Sequence, residues 1–326
     1  MDNPQLARAS SALASTLVDS LSRVIRGKND FLRMIVSALI SGGHVLIEDV
    51  PGLGKTTVAK TLAALISPVG DDRDGDGHVA FRRIQFTPDL LPYDITGVDI
   101  FDPDRRAFVF SPGPVFANIV LADEINRSTP KVQSALLEVM AESQVTVGGN
   151  TYRMDELFFV MGTQNPVEVE GTYPLPLAQL DRFLMRLEIG YPEAEVELAI
   201  LKDDPSVRVM PSVEPVCTRR DILAARQAAG EVHVDEALFR AVVDIAGTTR
   251  EHGAIAYGVS PRGSLMLIHA ARAYALVHDR SYVIDQDIVD LAPAVLGHRI
   301  QLQDERTDPR ALIREVTLSH VERIHR

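Results

Sequence analysis

Gly52-Leu53-Gly54-Lys55-Thr56-Thr57 is the stretch on which the fold turns. It follows a short apolar run, Val45-Leu46-Ile47, and opens an amphipathic segment from Val58 to Ile66. A strand, a tight glycine turn and a helix N-terminus in that order make a phosphate cradle. Glycines let backbone N–H groups converge on the anion, and the helix start adds partial positive charge. In such a cradle Lys55 reaches the β- and γ-phosphates of a nucleotide, and the Thr56 hydroxyl sits on Mg²⁺. The complete pattern, G-x-x-x-x-G-K-[ST], wants glycine at position 49, where this chain carries Asp49. Asp tolerates left-handed backbone better than most residues, which is the expected way for the turn to survive.

Working outward, the apolar run Ile119-Val120-Leu121-Ala122 ends in Asp123-Glu124. If its strand neighbours the cradle strand in a parallel sheet, both carboxylates stand beside the phosphate site. Asp123 then holds the Mg²⁺ shell and Glu124 orients or polarises the attacking water. An acidic pair at a strand end also suits a helix N-cap. Two matched motifs about 70 residues apart, in the right order, favour the nucleotide reading. A further strand, Leu157 to Met161, delivers Gly162-Thr163-Gln164-Asn165-Pro166, whose amides can bond a γ-phosphate or serve as turn residues.

Before the cradle, Leu6 to Ile25 and Asp30 to Ile40 read as helices, broken at Ile25-Arg26-Gly27-Lys28 and stopped at Gly42-Gly43. Phe81 to Phe86 is a strand, Gly97 to Gly113 a pair of short strands around a turn, and Gln144 to Arg153 a hairpin. A helix starts at Thr129-Pro130. The polar loop Ser67 to His78 contains Asp72-Arg73-Asp74-Gly75-Asp76-Gly77, which matches the start of a calcium loop. Its twelfth position is Arg83 where a bidentate Glu is needed, so the expectation is a solvated loop. Prolines cluster at Pro205, Pro211 and Pro215, where the chain passes from an α/β domain, residues 1–204, to a smaller all-helical one, residues 205–326. Helix starts in the second part are Thr218-x-x-Asp221, Asp235 and Ser260-Pro261, then Asp285 and Pro309. Leu265 to Val277 reads as the buried centre of a bundle, and His269 as a core or interface histidine.

Composition narrows the functional classes. The 326 residues are 46% hydrophobic and 24% charged, with net charge −12 and no run of Lys or Arg. That balance disfavours broad nucleic-acid or anionic-membrane binding. Cys217 is the only cysteine, which excludes an intrachain disulfide and a cysteine zinc site and fits a reduced compartment. No apolar stretch approaches the roughly 18 residues of a spanning helix, and the first residues, with Asp2 and Asp19, lack a signal-peptide core. The expected setting is the cytoplasm.

These pieces in this order resemble the AAA+ ATPases, and within them the MoxR family. The resemblance runs from about Val24 to Arg262. It rests on Glu48 to Thr56, Gln85-Phe86-Thr87-Pro88-Asp89-Leu90-Leu91-Pro92, Ala122-Asp123-Glu124-Ile125-Asn126-Arg127, Thr163-Gln164-Asn165-Pro166, and Gly171 to Pro176 with Leu180-Asp181-Arg182-Phe183. It implies an αβα ATPase core with a parallel sheet and a smaller all-α lid. Lys55 and Thr56 correspond to the Walker A pair, within the cradle Gly52, Leu53, Gly54 and Thr57, and Asp123 with Glu124 to Walker B. Asn165 corresponds to sensor 1, Arg182 to an arginine finger offered to the neighbouring subunit, and Arg262 to the sensor 2 arginine. Ile25 and Gly27 resemble the adenine-side turn. The resemblance further implies ATP and Mg²⁺ as cofactors, a homo-oligomeric, hexameric ring, a protein client, and a partner carrying a von Willebrand factor A domain. Two rivals remain: a nucleic-acid motor of the same AAA+ branch, and a nucleotide-switched scaffold with little hydrolysis.

Overall fold

Side chains along an extended chain alternate between faces, and this sorts the first core strand, β1 (Val45–Glu48), into two hydrophobic clusters. Val45 and Ile47 enter one cluster and Leu46 the other. The same division recurs in β3 (Ile119–Asp123) and β4 (Phe159–Gln164), where Ile119, Leu121, Phe159 and Met161 face one way and Val120, Ala122 and Val160 the other. With β2 (Phe81–Gln85) and β5 (Met185–Leu187), they form a fully parallel sheet in the order β5-β1-β4-β3-β2. The computed structural model describes residues 3–67, 79–166, 171–304 and 306–324. The segment 72–77, which resembles a calcium loop, lies outside them.

Register aligns the strand ends. Glu48 lies opposite Gln164, and Gln85 opposite Asp123, so β1, β4, β3 and β2 all terminate on one edge. Ligands bind outside this carboxyl edge in open α/β sheets. One face is covered by α1 (Asn3–Val24), α2 (Asn29–Ser41) and α3 (Lys55–Ala64), the other by α4 (Pro130–Glu142). The expected stop of α2 is a left-handed Gly42 (φ 74°) whose N–H bonds back to the last turn. Both expected hairpins form, Gly97–Asp102 with Ala107–Pro112 and Gln144–Val147 with Asn150–Arg153. Phe110 of the first stacks on Tyr152 of the second, centroids 3.9 Å apart, which ties the two together.

The second half is mainly helical. It also holds a short antiparallel strand pair, Ile255–Tyr257 with Gln301–Leu302, where an all-helical part is expected, and its Cys217–Thr218 pairs with Ile66–Ser67. Its helices start where their caps are written. Thr218 and Asp221 close a reciprocal box at α5 (Arg219–Gly230), Asp235 caps α6 (Glu236–Glu251), and the Ser260 hydroxyl accepts from the Gly263 N–H at α7 (Pro261–Val277). Asp285–Leu296 (α8) and Pro309–Ile324 (α9) complete the lid. Helix α7 is central as expected, but Leu265 is not interior and His269 is not a core histidine. Leu265 is 56% exposed and His269 also faces solvent, since both fall on the face turned away from α2 and α8. Helix α1 packs on α5 and α7, so helices from opposite ends of the chain share one cluster with one face of the sheet. Among the described residues no helix is long and apolar enough to cross a membrane.

Candidate active site

Gly52 (φ 91°) and Gly54 (φ 85°) both take the left-handed backbone that the cradle turn needs, and open space lies where a Cβ would project from either. Gly54 is the N-cap of α3, and Thr56 and Thr57 lie half-buried in its first turn. The Lys55 ammonium curls back into the loop and donates to the carbonyls of Asp49 (2.5 Å) and Val50 (3.2 Å). Burial lowers the Lys55 pKa, opposed by the charges of Asp49, Asp123 and Glu124. That opposition is electrostatic evidence that the loop and the acids share one site.

Asp49 keeps the turn for a different reason from the one expected. It is not among the residues with positive φ. Its carboxylate instead accepts the N–H groups of Ile189 and Gly190 (2.7 Å each) and of Val50 (3.0 Å), tying the cradle to the chain that leaves β5. Asp49→Gly, which restores the common glycine, therefore lowers stability by about 1–3 kcal/mol through unpaired N–H groups, and weakens nucleotide binding. A wild-type denaturant midpoint together with wild-type affinity for a fluorescent ATP analogue would refute this role.

The two acids reach the same edge, although β3 is not the neighbour of β1. Strand β4 lies between them, so the expectation of direct adjacency is corrected. The intervening strand supplies a link instead. The buried Thr163 hydroxyl donates to Asp123 Oδ1 (2.6 Å) and accepts the Glu124 N–H (2.8 Å). Asp123 Oδ2 takes two N–H groups of Arg83, at 3.0 and 2.7 Å. Arg83 also donates to Gln85 (2.6 Å), and Gln85 to Glu124 Oε2 (2.7 Å), which is ion-paired with Arg127 at 3.3 Å. Glu124 holds a left-handed backbone (φ 57°), unusual for a residue with a side chain and of the kind found at functional sites. Asn165 is buried just past the end of β4. Arg83, Gln85 and Thr163 went unassigned in the sequence. Gln85 and Thr163 lie inside quoted motifs, whereas the only mark on Arg83 was its misfit in the calcium pattern.

Gly27 and Ile25 part company. Gly27 (φ 69°) lines a cavity of about 520 Å³ with Lys28, Phe31, Arg33, Glu188 and Ile189. Asp49 bonds Ile189, so this cavity and the cradle are joined through one side chain. Ile25 is buried in the hydrophobic cluster and does not line the cavity. Arg182 and Arg262 form a separate group. Arg182 follows the short helix Leu177–Leu180 and donates to the Leu137 carbonyl of α4 (2.7 Å). Arg262, about half exposed, lies 3.9 Å from the Asp181 carboxylate.

Comparisons with known proteins converge on one family. A family described as "ATPase family associated with various cellular activities (AAA)" matches residues 44–185, and an AAA lid domain matches residues 247–316. The chain is 47% identical over 308 residues to "Uncharacterized protein YeaC" of Bacillus subtilis, covering 93% of each. It is 43% identical over 291 residues to "Chaperone MoxR1" of Mycobacterium tuberculosis, covering 86% of this chain and 74% of that one. A crystal structure from Cytophaga hutchinsonii superposes with a TM-score of 0.84 at 37% identity, covering 96% of both chains. With its five-stranded parallel sheet, glycine cradle and helical lid, the chain belongs to the MoxR family of AAA+ ATPases.

Proposed function

We propose that this protein hydrolyses ATP in a Mg²⁺-dependent reaction and uses the cycle to remodel a protein client. The observation that carries the reading is the convergence of Lys55, Asp123 and Glu124 at one carboxyl edge, where the charges of both acids act on the Lys55 ammonium. The donor set fits Mg²⁺. The Thr56 hydroxyl and the Asp123 carboxylate would hold it together with phosphate oxygens, in keeping with a cation bound through one or two carboxylates rather than an all-protein cage. Bound there, Mg²⁺ neutralises charge developing on the phosphates. Lys55 exchanges its loop carbonyls for phosphate oxygens, and the N–H groups from Gly52 to Thr57 complete the cradle. Glu124 accepts the proton of the attacking water, with Asn165 orienting it. Gly27 and the turn at Ile189 flank the base, with Ile25 packed behind.

Arg182 acts on the nucleotide of an adjacent subunit, and Arg262 on phosphate. This arrangement calls for head-to-tail subunits in a ring, six being the expected number, each built of core 1–204 and lid 205–326. Client remodelling rests on the chaperone name of the Mycobacterium tuberculosis relative. A von Willebrand factor A domain partner and a cytoplasmic setting complete the proposal. A scaffold with little hydrolysis would need neither Glu124 nor Arg182.

The direct test is phosphate release from ATP with and without Mg²⁺, alone and with single- or double-stranded DNA or RNA. Turnover that needs Mg²⁺ and is unmoved by nucleic acid at physiological salt is expected, because the net charge is −12 and no run of Lys or Arg offers a polyanion a site. A several-fold rise on adding nucleic acid would revive the motor reading.

A further inference from the structure

One buried charge of the lid reaches the core away from the cradle. Arg299 stands on the short turn Gly297–Arg299 that follows α8, and its side chain is 1% exposed. Its guanidinium reaches across to the core segment 181–184. Nε donates to Asp181 Oδ1 (2.8 Å), Nη2 to the carbonyls of Asp181 (3.2 Å) and Phe183 (2.5 Å), and Nη1 to the carbonyl of Leu184 (3.2 Å). Nη1 also bonds the Val295 carbonyl of its own helix. The acceptors in the core therefore bracket Arg182 on both sides. Arg182 keeps its own guanidinium free of this grip and places it on Leu137.

A planar fork of five donors suits this task. It can hold several acceptors in a set geometry, which a lysine ammonium on a flexible stem cannot. Burial lowers the Arg299 pKa to about 10, opposed chiefly by the Asp181 charge. Asp181 is the counter-ion paired with this buried charge, and its second oxygen faces Arg262. The lid closes on the same point from another side. A Cβ on Gly263, the residue after Arg262, would come within 3.0 Å of Arg299 Cδ. One carboxylate thus joins α7, the end of α8 and the segment that carries Arg182.

We infer that Arg299 is a positioning residue for Arg182, by which the lid sets the backbone that presents the finger to the neighbouring subunit, with Asp181 as its required counter-ion. This rests on the reading of Arg182 as a finger given in trans. Arg299 touches neither nucleotide nor water. Its loss leaves the subunit's own pocket sound and spoils only what it offers to the next. A misplacement of about 1 Å can cost on the order of 10² in rate.

The test uses the full chain with Arg299→Lys, which keeps the charge and loses the fork. Arg299→Gln, which keeps part of the hydrogen bonding and leaves the Asp181–Arg262 pair in place, is the second variant should lysine not be tolerated. Turnover is expected to fall by about 10², with affinity for a fluorescent ATP analogue unchanged. Mixing then separates positioning from a general defect. With Lys55→Ala, which has a dead pocket and a sound finger, Arg299→Lys regains turnover. With Arg182→Ala, which has a sound pocket and no finger, it regains none. Rescue by Arg182→Ala, rescue by neither partner, or wild-type turnover of both variants alone would overturn the inference. The Lys55→Ala and Arg182→Ala mixture is the control. With subunit exchange shown by a label, it sets the rescue expected for a sound pocket beside a sound finger, and wild-type turnover of Arg182→Ala alone would count against the trans finger itself.

Discussion

Arg182→Ala loses about 10³–10⁵ in turnover, the usual cost of a missing arginine finger in phosphoryl transfer, while binding ATP as the wild type does. The fold tolerates the change. In this structure the guanidinium makes a hydrogen bond to a helix carbonyl, Leu137, that already belongs to the α4 ladder, and the backbone of 181–184 is held independently by Arg299. Activity is lost because each pocket waits for a finger that no other copy carries. Lys55→Ala has the complementary defect, a dead pocket with an intact finger. In an equal, freely exchanging mixture, about a quarter of head-to-tail interfaces join a sound pocket to a sound finger. Turnover reappears on mixing, unless strict ring-wide coupling suppresses it. Phosphate release from the two pure variants and from the mixture, with exchange followed by a fluorescent label, is the measurement. Wild-type turnover of Arg182→Ala alone would sink the finger.

Lys55→Ala and Glu124→Gln separate binding from chemistry at the other half of the site. Lys55 contacts phosphates that are present before reaction, so its removal abolishes nucleotide binding and turnover falls with it. Glu124 acts on the water only as the proton leaves. Its amide therefore keeps ATP affinity and loses on the order of 10²–10⁴ in rate. The amide is nearly isosteric, so the left-handed backbone at φ 57° and a hydrogen bond to Gln85 both persist, and the thermal midpoint stays near that of the wild type. Titration with a fluorescent ATP analogue and single-turnover hydrolysis distinguish the two variants. An equal loss of ATP affinity in both would contradict the division of roles.

The cradle, the helix caps and the hairpins were legible along the chain because each is decided within a few residues. Left-handed glycines at 52 and 54 make the turn, and the Thr218 and Ser260 hydroxyls each accept an N–H three residues on, with Pro261 adding no donor to its first turn. The Asp123-Glu124 pair was legible for a similar reason, since an apolar strand that ends in acids marks its own carboxyl edge. Which polar groups meet across the site was not legible, because that depends on strand order and register. Placing β4 between β1 and β3 brings Thr163 to Asp123, and pairing β2 with β3 brings Arg83 and Gln85 to the two acids. By its neighbours alone Asp49 is a tolerable turn residue, yet its carboxylate finds donors 140 and 141 residues away. Arg299 carries no motif, and it matters only because the lid lands on the segment 181–184. Local hydrogen bonding wrote the elements and their ends; the burial of charges far apart in sequence, each needing a partner once water is excluded, decided the rest.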